Sequence, residues 1–213
     1  MKPTKIVIVD YGVGNLLSVH RAIEFCGFKA LISSDANTIL DASHLILAGV
    51  GAFKSGMFEL KERGLIEPII AMANKGVPFL GICLGMQMLM ERSEEFGFTK
   101  GLGLIQGEVI AIPKFDFSGE LQKIPHIGWN GLYPESFRNW KNTILEDVKV
   151  GESTYFVHSF MTVTENSKNR LANCNYGGHA LSAVIMHNNV IGCQFHPEKS
   201  GNVGLKILKN FLT

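Results

Sequence analysis

The chain has 213 residues, at the upper end of the usual single-domain range, so one compact domain spanning 1–213 with a sizeable core is expected. Lys and Arg (20) nearly balance Asp and Glu (19), leaving no basic field for nucleic acid or an anionic membrane surface and pointing to a small substrate. The apolar run in MKPTKIVIVD is too short for the core of a secretory signal, and no later stretch reaches membrane-spanning length, so a soluble cytoplasmic protein is expected.

Lys5 to Asp10 (KIVIVD) is a continuous β-branched run, the pattern of a strand covered on both faces in a parallel sheet. The loop YGVGN follows. From Asn15 the apolar residues Leu16, Val19, Ile23 and Cys26 recur at steps of three and four, predicting a helix that stops at Gly27. Short strands are predicted at Ala30 to Ser33 and His44 to Ala48, the second running into the glycine loop GVGAF. Ser55 to Lys75 reads as helical and divided by Gly64 and Pro68. Val77 to Ile82 reads as a fourth buried strand, and Leu84 to Glu95 as the helix leaving it.

This alternation implies right-handed crossovers and an α/β fold with an open, mostly parallel sheet flanked by helices. Ligands on such sheets bind beyond the carboxyl ends of the strands, where both GVGAF and GICLG fall. After Gly101 the pieces LIQGEVIAIP, TYFVHSFMTV, HALSAVIMH and NVIGCQFH read as antiparallel strands added to that core, closed by a helix from Gly201 to Phe211. No internal repeat or linker marks a domain boundary.

Gly81-Ile82-Cys83-Leu84-Gly85 has the form of a nucleophile elbow between a strand and a helix. A sharp turn there strains the backbone of Cys83, the flanking glycines relieve collisions, and the helix start directs unpaired N–H groups at the sulfur. The other reading of Cys83 is a small buried hydrophobe. Cys26, Cys83, Cys174 and Cys193 lack CxxC spacing, which argues for reduced thiols and against a disulfide scaffold or zinc knuckle.

In His196-Pro197-Glu198 the proline biases His196 toward extended backbone, so Glu198, two residues on, can lie beside the imidazole and fix its tautomer. Taken alone this pattern is more often a surface-loop histidine with a solvated carboxylate; only its coincidence with Cys83 gives it weight. His20, His44, His126, His158, His179 and His187 form no metal-ligand spacing, and no metal or other cofactor is expected. Gly49-Val50-Gly51 lacks phosphate-loop spacing and reads instead as flexible backbone whose N–H can turn toward an oxyanion.

Together, GVGAF, GVPFLGICLGMQ and QFHPEKSG resemble the class I (triad) glutamine amidotransferases, over nearly the whole chain. YGVGN, PHIGWN, YFVHSF and HPEKSG resemble the branch of that family that serves imidazole glycerol phosphate synthesis in histidine biosynthesis. The resemblance implies that Cys83 attacks the side-chain amide of glutamine while His196, oriented by Glu198, protonates the departing ammonia. It implies that Gln87 holds the substrate, that backbone at Val50 and Leu84 forms the oxyanion hole, and that Gly49, Gly51, Ser159 and Phe160 line the pocket, with His158 a neighbour. It also implies a heterodimer with a (β/α)8 barrel subunit that receives the ammonia and is faced by Asn15, Trp129 and Lys199. The chain departs from the pattern at Ala48, where proline is usual, at Ile127 in PHIGWN, and at Phe160, where tyrosine is common. Those departures leave open a paralogue feeding sugar amidation for surface polysaccharides; a free-standing cysteine hydrolase would share the elbow but would not need Gln87 or PHIGWN.

Overall fold

A computed structural model describes residues 4–136 and 138–213. Its elements are β1 Ile6–Val9, α1 Leu16–Phe25, β2 Ala30–Ser33, α2 Ala36–Leu40, β3 His44–Gly49, α3 Phe53–Glu62, α4 Ile66–Asn74, β4 Phe79–Cys83 and α5 Leu84–Met88. They continue with β5 Met90–Ser93, β6 Thr99–Lys100, β7 Ile105–Ala111, β8 His126–Gly131, β9 Tyr133–Pro134, β10 Ser153–His158, β11 Phe160–Thr164, β12 Arg170–Tyr176, β13 His179–His187, β14 Val190–Cys193 and α6 Gly201–Leu212. No described helix is long and apolar enough to cross a membrane.

The main sheet runs β2-β1-β3-β4-β14-β13-β12-β9. Its first five strands are mutually parallel and the rest antiparallel. β1 shows why its sequence has no polar alternation. Ile6 and Ile8 pack toward α1 and α6 through Val19, Ile23, Ile207 and Leu208, whereas Val7 and Val9 pack toward α2, α3 and α4 through Ile39, Phe53, Leu60 and Ile69. Both faces are covered, and each such buried side chain is worth roughly 1.5–3 kcal/mol. At the start of α1 the Asn15 side chain accepts from the Ser18 N–H at 3.3 Å, and Gly27 (φ +89°) ends the helix in the left-handed region.

Several elements differ from the sequence expectation. The helix after Cys83 ends at Met88, and Met90–Ser93 is instead a strand pairing with β7 in parallel. The cause is tertiary: Leu102, Gly103 and Leu104 donate to the carbonyls of Met88, Met90 and Leu89, taking the acceptors a continuing helix would use. Gly101 permits that approach, since a Cβ there would lie 2.2 Å from the Met90 oxygen.

The break between α3 and α4 is made by the Gly64 turn (φ +64°) alone. Pro68 sits in the first turn of α4, where its missing N–H is harmless. α2, capped by the Asp35 carboxylate accepting from Thr38, was not foreseen.

The second half is also less uniform than a set of antiparallel additions. β14 is parallel to β4 and extends the core, while β11-β7-β5-β6 and β10-β8 form two further sheets. Gly49 at the end of β3 therefore lies in register with Cys83, and Cys193 with Ile82. GVGAF, GICLG and QFHPE all emerge at the carboxyl edge of neighbouring parallel strands.

A Cβ on Gly85 would lie 1.7 Å from the Leu47 carbonyl oxygen, a backbone atom that cannot step aside. Gly85→Ala is expected to destabilise the fold by about 3 kcal/mol or more, read as a lowered urea midpoint; an unchanged midpoint would contradict the packing of α5 on β3.

Candidate active site

Cys83 has φ +54° and ψ −109°, a strained conformation for a residue with a side chain. The glycines around it explain how the turn closes. A Cβ on Gly81 would lie 2.8 Å from the Gly85 backbone, so strand and helix fold back on each other without side chains between them. The residue is 6% exposed; its Sγ lies 3.9 Å from the Val157 carbonyl oxygen and 3.8 Å from Gln194 Nε2. As the first residue of α5, Leu84 has no intrahelical acceptor for its N–H.

His196 follows β14 in extended backbone (φ −100°, ψ 96°), its N–H donating to the Tyr155 carbonyl at 2.9 Å. Ser200 Oγ donates to the His196 carbonyl at 2.7 Å and accepts from the Tyr155 N–H at 3.0 Å, tying this segment to β10. The imidazole Nδ1 is 2.8 Å from Glu198 Oε1, and both side chains are almost fully buried. Glu198 reaches it from the 3-10 turn Pro197–Lys199 rather than from extended chain, but the predicted pair is present. Among the described residues none hydrogen-bonds to the buried His196 Nε2. Burial alone would depress the histidine, but the Cys83 sulfur and the Glu198 carboxylate outweigh it and raise its pKa to about 9. The imidazole thus sits between the Cys83 sulfur and the Glu198 carboxylate, both of which favour its protonated form.

A cleft of about 400 Å³ opens over the sulfur. Val50, Gly51, Leu84, Gln87, Ser159 and Phe160 all line it, as does His158. Gly49 does not; it lies behind Cys83, where a Cβ would fall 1.7 Å from Tyr11 Oη. Ala48, in place of the usual proline, is an ordinary residue of β3 paired with Ile82.

Asn15 and Lys199 are exposed, and Trp129 is 59% exposed on β8 opposite Tyr155. The elements that carry or adjoin them are neighbours: α1, which follows Asn15, packs on the 197–199 turn, that turn packs on β10, and β10 pairs with β8.

Three groups at the site were not identified from sequence. Glu95, placed in a helix by sequence reading, lines the cleft and accepts the Phe53 N–H at 2.6 Å, capping α3. Gln194 is fully buried against Cys83; its position two before His196 in extended chain was a usable signal. Tyr11 carries a buried hydroxyl with no hydrogen-bond partner among the described residues, and burial, followed by the nearby Cys83 charge, raises its pKa. Burial pushes the Cys174 thiol up to about 12, and Cys193 is raised by burial and then by Glu198. All four are free thiols. Among the described residues no cluster of His, Cys, Asp and Glu is arranged to hold a metal ion.

A strained cysteine at a strand-helix elbow, a carboxylate-held imidazole and an adjoining cleft are the parts that a cysteine-dependent acyl-transfer site requires. The profile of the glutamine amidotransferase class-I family matches residues 7–213. The imidazole glycerol phosphate synthase subunit HisH 1 of Legionella pneumophila (strain Lens) is 52% identical over 210 residues, covering 98% of this chain and 99% of that protein. The HisH subunit from Geobacillus sp. (strain WCH70) is 46% identical over 206 residues, covering 97% and 95%. Among solved structures, PurLQS from Thermotoga maritima shares the fold with a TM-score of 0.71 at 22% identity, over 98% of this chain and 97% of that one. The chain belongs to the class-I glutamine amidotransferase family, within its HisH branch.

His196 is raised above its ordinary 6.5, so its stabilising contribution is fully present below about pH 6.5 and is lost as pH rises through about 9. Wild type and Glu198→Gln are therefore expected to differ more in thermal midpoint at pH 6 than at pH 9.5; an equal difference at both would contradict the charged pair.

Proposed function

We propose that residues 1–213 form one glutaminase domain that hydrolyses glutamine at Cys83 and passes the ammonia to a (β/α)8 barrel synthase subunit, in the cytoplasm, for imidazole glycerol phosphate formation in histidine biosynthesis. The observation that carries this is the coincidence of the Cys83 elbow, the His196–Glu198 pair and the cleft in a chain about half identical to named HisH subunits.

The chemistry follows from the geometry. Cys83 Sγ, its proton passed to His196 Nε2, attacks the side-chain carbonyl carbon of glutamine. The carbonyl electron pair moves to oxygen, which the N–H of Leu84 and, after rotation of the Gly49–Val50 peptide, that of Val50 receive. Collapse of the tetrahedral adduct breaks the C–N bond, with the His196 proton going to nitrogen, so that ammonia leaves and a glutamyl thioester remains. Water, deprotonated by His196, attacks the thioester; the C–S bond breaks and glutamate departs. Glu198 stabilises the imidazolium in both halves.

The cleft also suits an amino acid at its far end. Glu95 is the carboxylate lining it and offers charge to the substrate's α-ammonium, while Gln87 and Ser159 offer polar groups beside it. Ammonia released into water at neutral pH would be protonated and lost as a nucleophile, which is the physical reason for an enclosed partner. The surface carrying Trp129 and Ile127, 59% and 52% exposed on one face of β8, supports such a docking face, expected to bury on the order of 1,000 Å² or more. The relatives' names favour this acceptor over sugar amidation.

Cys83→Ala is expected to abolish glutamine hydrolysis while ammonia-dependent synthesis by the co-purified partner persists; retained glutaminase activity would sink the mechanism. Glu198→Gln should cost about tenfold to a hundredfold less than loss of the thiol, since the imidazole stays near the sulfur. Glu95→Gln is expected to raise KM for glutamine more than it lowers kcat, and steady-state kinetics in the complex separate the two.

A further inference from the structure

One backbone carbonyl determines how four buried side chains are oriented. The Phe160 carbonyl oxygen can only accept, and it faces both Gln87 Nε2 at 3.2 Å and His158 Nδ1 at 2.8 Å. Gln87 must therefore turn its NH2 group this way, and His158 must carry its proton on Nδ1. The consequences run outward in both directions. The second N–H of Gln87 points at Gln194, 3.1 Å away, so Gln194 must present its oxygen there and its own NH2 to Cys83 Sγ, 3.8 Å away. On the other side, His158 Nε2 is left as an acceptor, so His126 Nδ1, at 3.0 Å, donates to it. Burial pushes both histidines down to about 4, so they stay neutral and these roles hold at physiological pH.

Gln194 is fully buried, and nothing in the triad's chemistry uses it. A neutral donor fixed against the sulfur favours the thiolate over the thiol. We propose that Gln194 is a catalytic hydrogen-bond donor to the Cys83 thiolate, oriented through Gln87 by the Phe160 carbonyl. The same line of hydrogen bonds ends at His126 on β8, the strand whose outer face presents Ile127 and Trp129. The donor's aim is thereby tied to the strand expected to meet the partner. The proposal rests on the reading of Cys83 as the nucleophile.

Other ionisable groups also face this sulfur or its cleft: His196 and Glu198 from the turn after β14, Tyr11 from the loop after β1, His158 from β10, and Glu95 from the segment after β5. All are retained in the variants used to isolate Gln194. The test is the pH profile of iodoacetamide alkylation of Cys83, followed on its own peptide by mass spectrometry in the full chain. Gln194→Leu is expected to move the Cys83 midpoint upward by about one pH unit, slowing alkylation at neutral pH about tenfold. A folded Gln194→Leu protein with an unmoved midpoint overturns the proposal. If that variant does not fold, Gln87→Leu carries the test, since it frees the Gln194 amide to rotate; a smaller upward shift of about half a unit is expected, and none overturns it. Failure of the underlying reading is separable: Cys83→Ala would then retain glutaminase activity whether or not the alkylation midpoint moves.

Discussion

The contact on which the site depends is the one between Gly85 and the Leu47 carbonyl. Because α5 seats its first turn directly on the backbone of β3, the chain has to reverse within Cys83 itself, and that residue takes a positive φ. The reversal sets the start of α5, whose first N–H has no intrahelical acceptor, directly after Cys83. It also sets the end of β3 in register with Cys83, so Val50 and Gly51, which follow that strand, reach the cleft. The strain at Cys83, of order 1–3 kcal/mol, is held by a core that covers both faces of the parallel strands.

His196 arrives by a different route. β14 joins the parallel core beside β4, and the chain leaving it carries Gln194 and His196 past the elbow on the same side. Ser200 and Tyr155 fasten that segment to β10. The two smaller sheets therefore serve the site as walls: β10 supplies Val157 and His158, the start of β11 supplies Phe160, and the segment after β5 supplies Glu95. A buried imidazole between a sulfur and a carboxylate is an expensive arrangement to desolvate, and the mutual attraction of the three groups is what raises His196 rather than depressing it.

Much of this was legible in the amino-acid sequence where local pattern and tertiary outcome agree. The bare apolar runs of β1 and β3, the GxCxG elbow and the His-x-Glu pair have local causes, and the resemblance drawn from GICLGMQ, PHIGWN and HPEKSG agrees with the family comparisons. The errors occur where distant backbone decides. MLMERSEE has helical composition, but the 102–104 segment takes the carbonyls the helix needs, and Glu95 is thereby moved from a helix surface to the cleft wall. The direction of β14 depends on which sheet edge it finds, which its own alternation does not encode. Tyr11 gains meaning only from Gly49 and Cys83, far away in sequence, and Gln194, despite its place two residues before His196, only from its contact with Cys83.

The most direct measurement is intact-protein and peptide mass spectrometry of the chain, with its barrel partner, acid-quenched during turnover of glutamine. The account predicts a single glutamyl adduct confined to the peptide that contains Cys83, absent in Cys83→Ala. Turnover without any adduct on that peptide, together with an adduct on another residue, would contradict it.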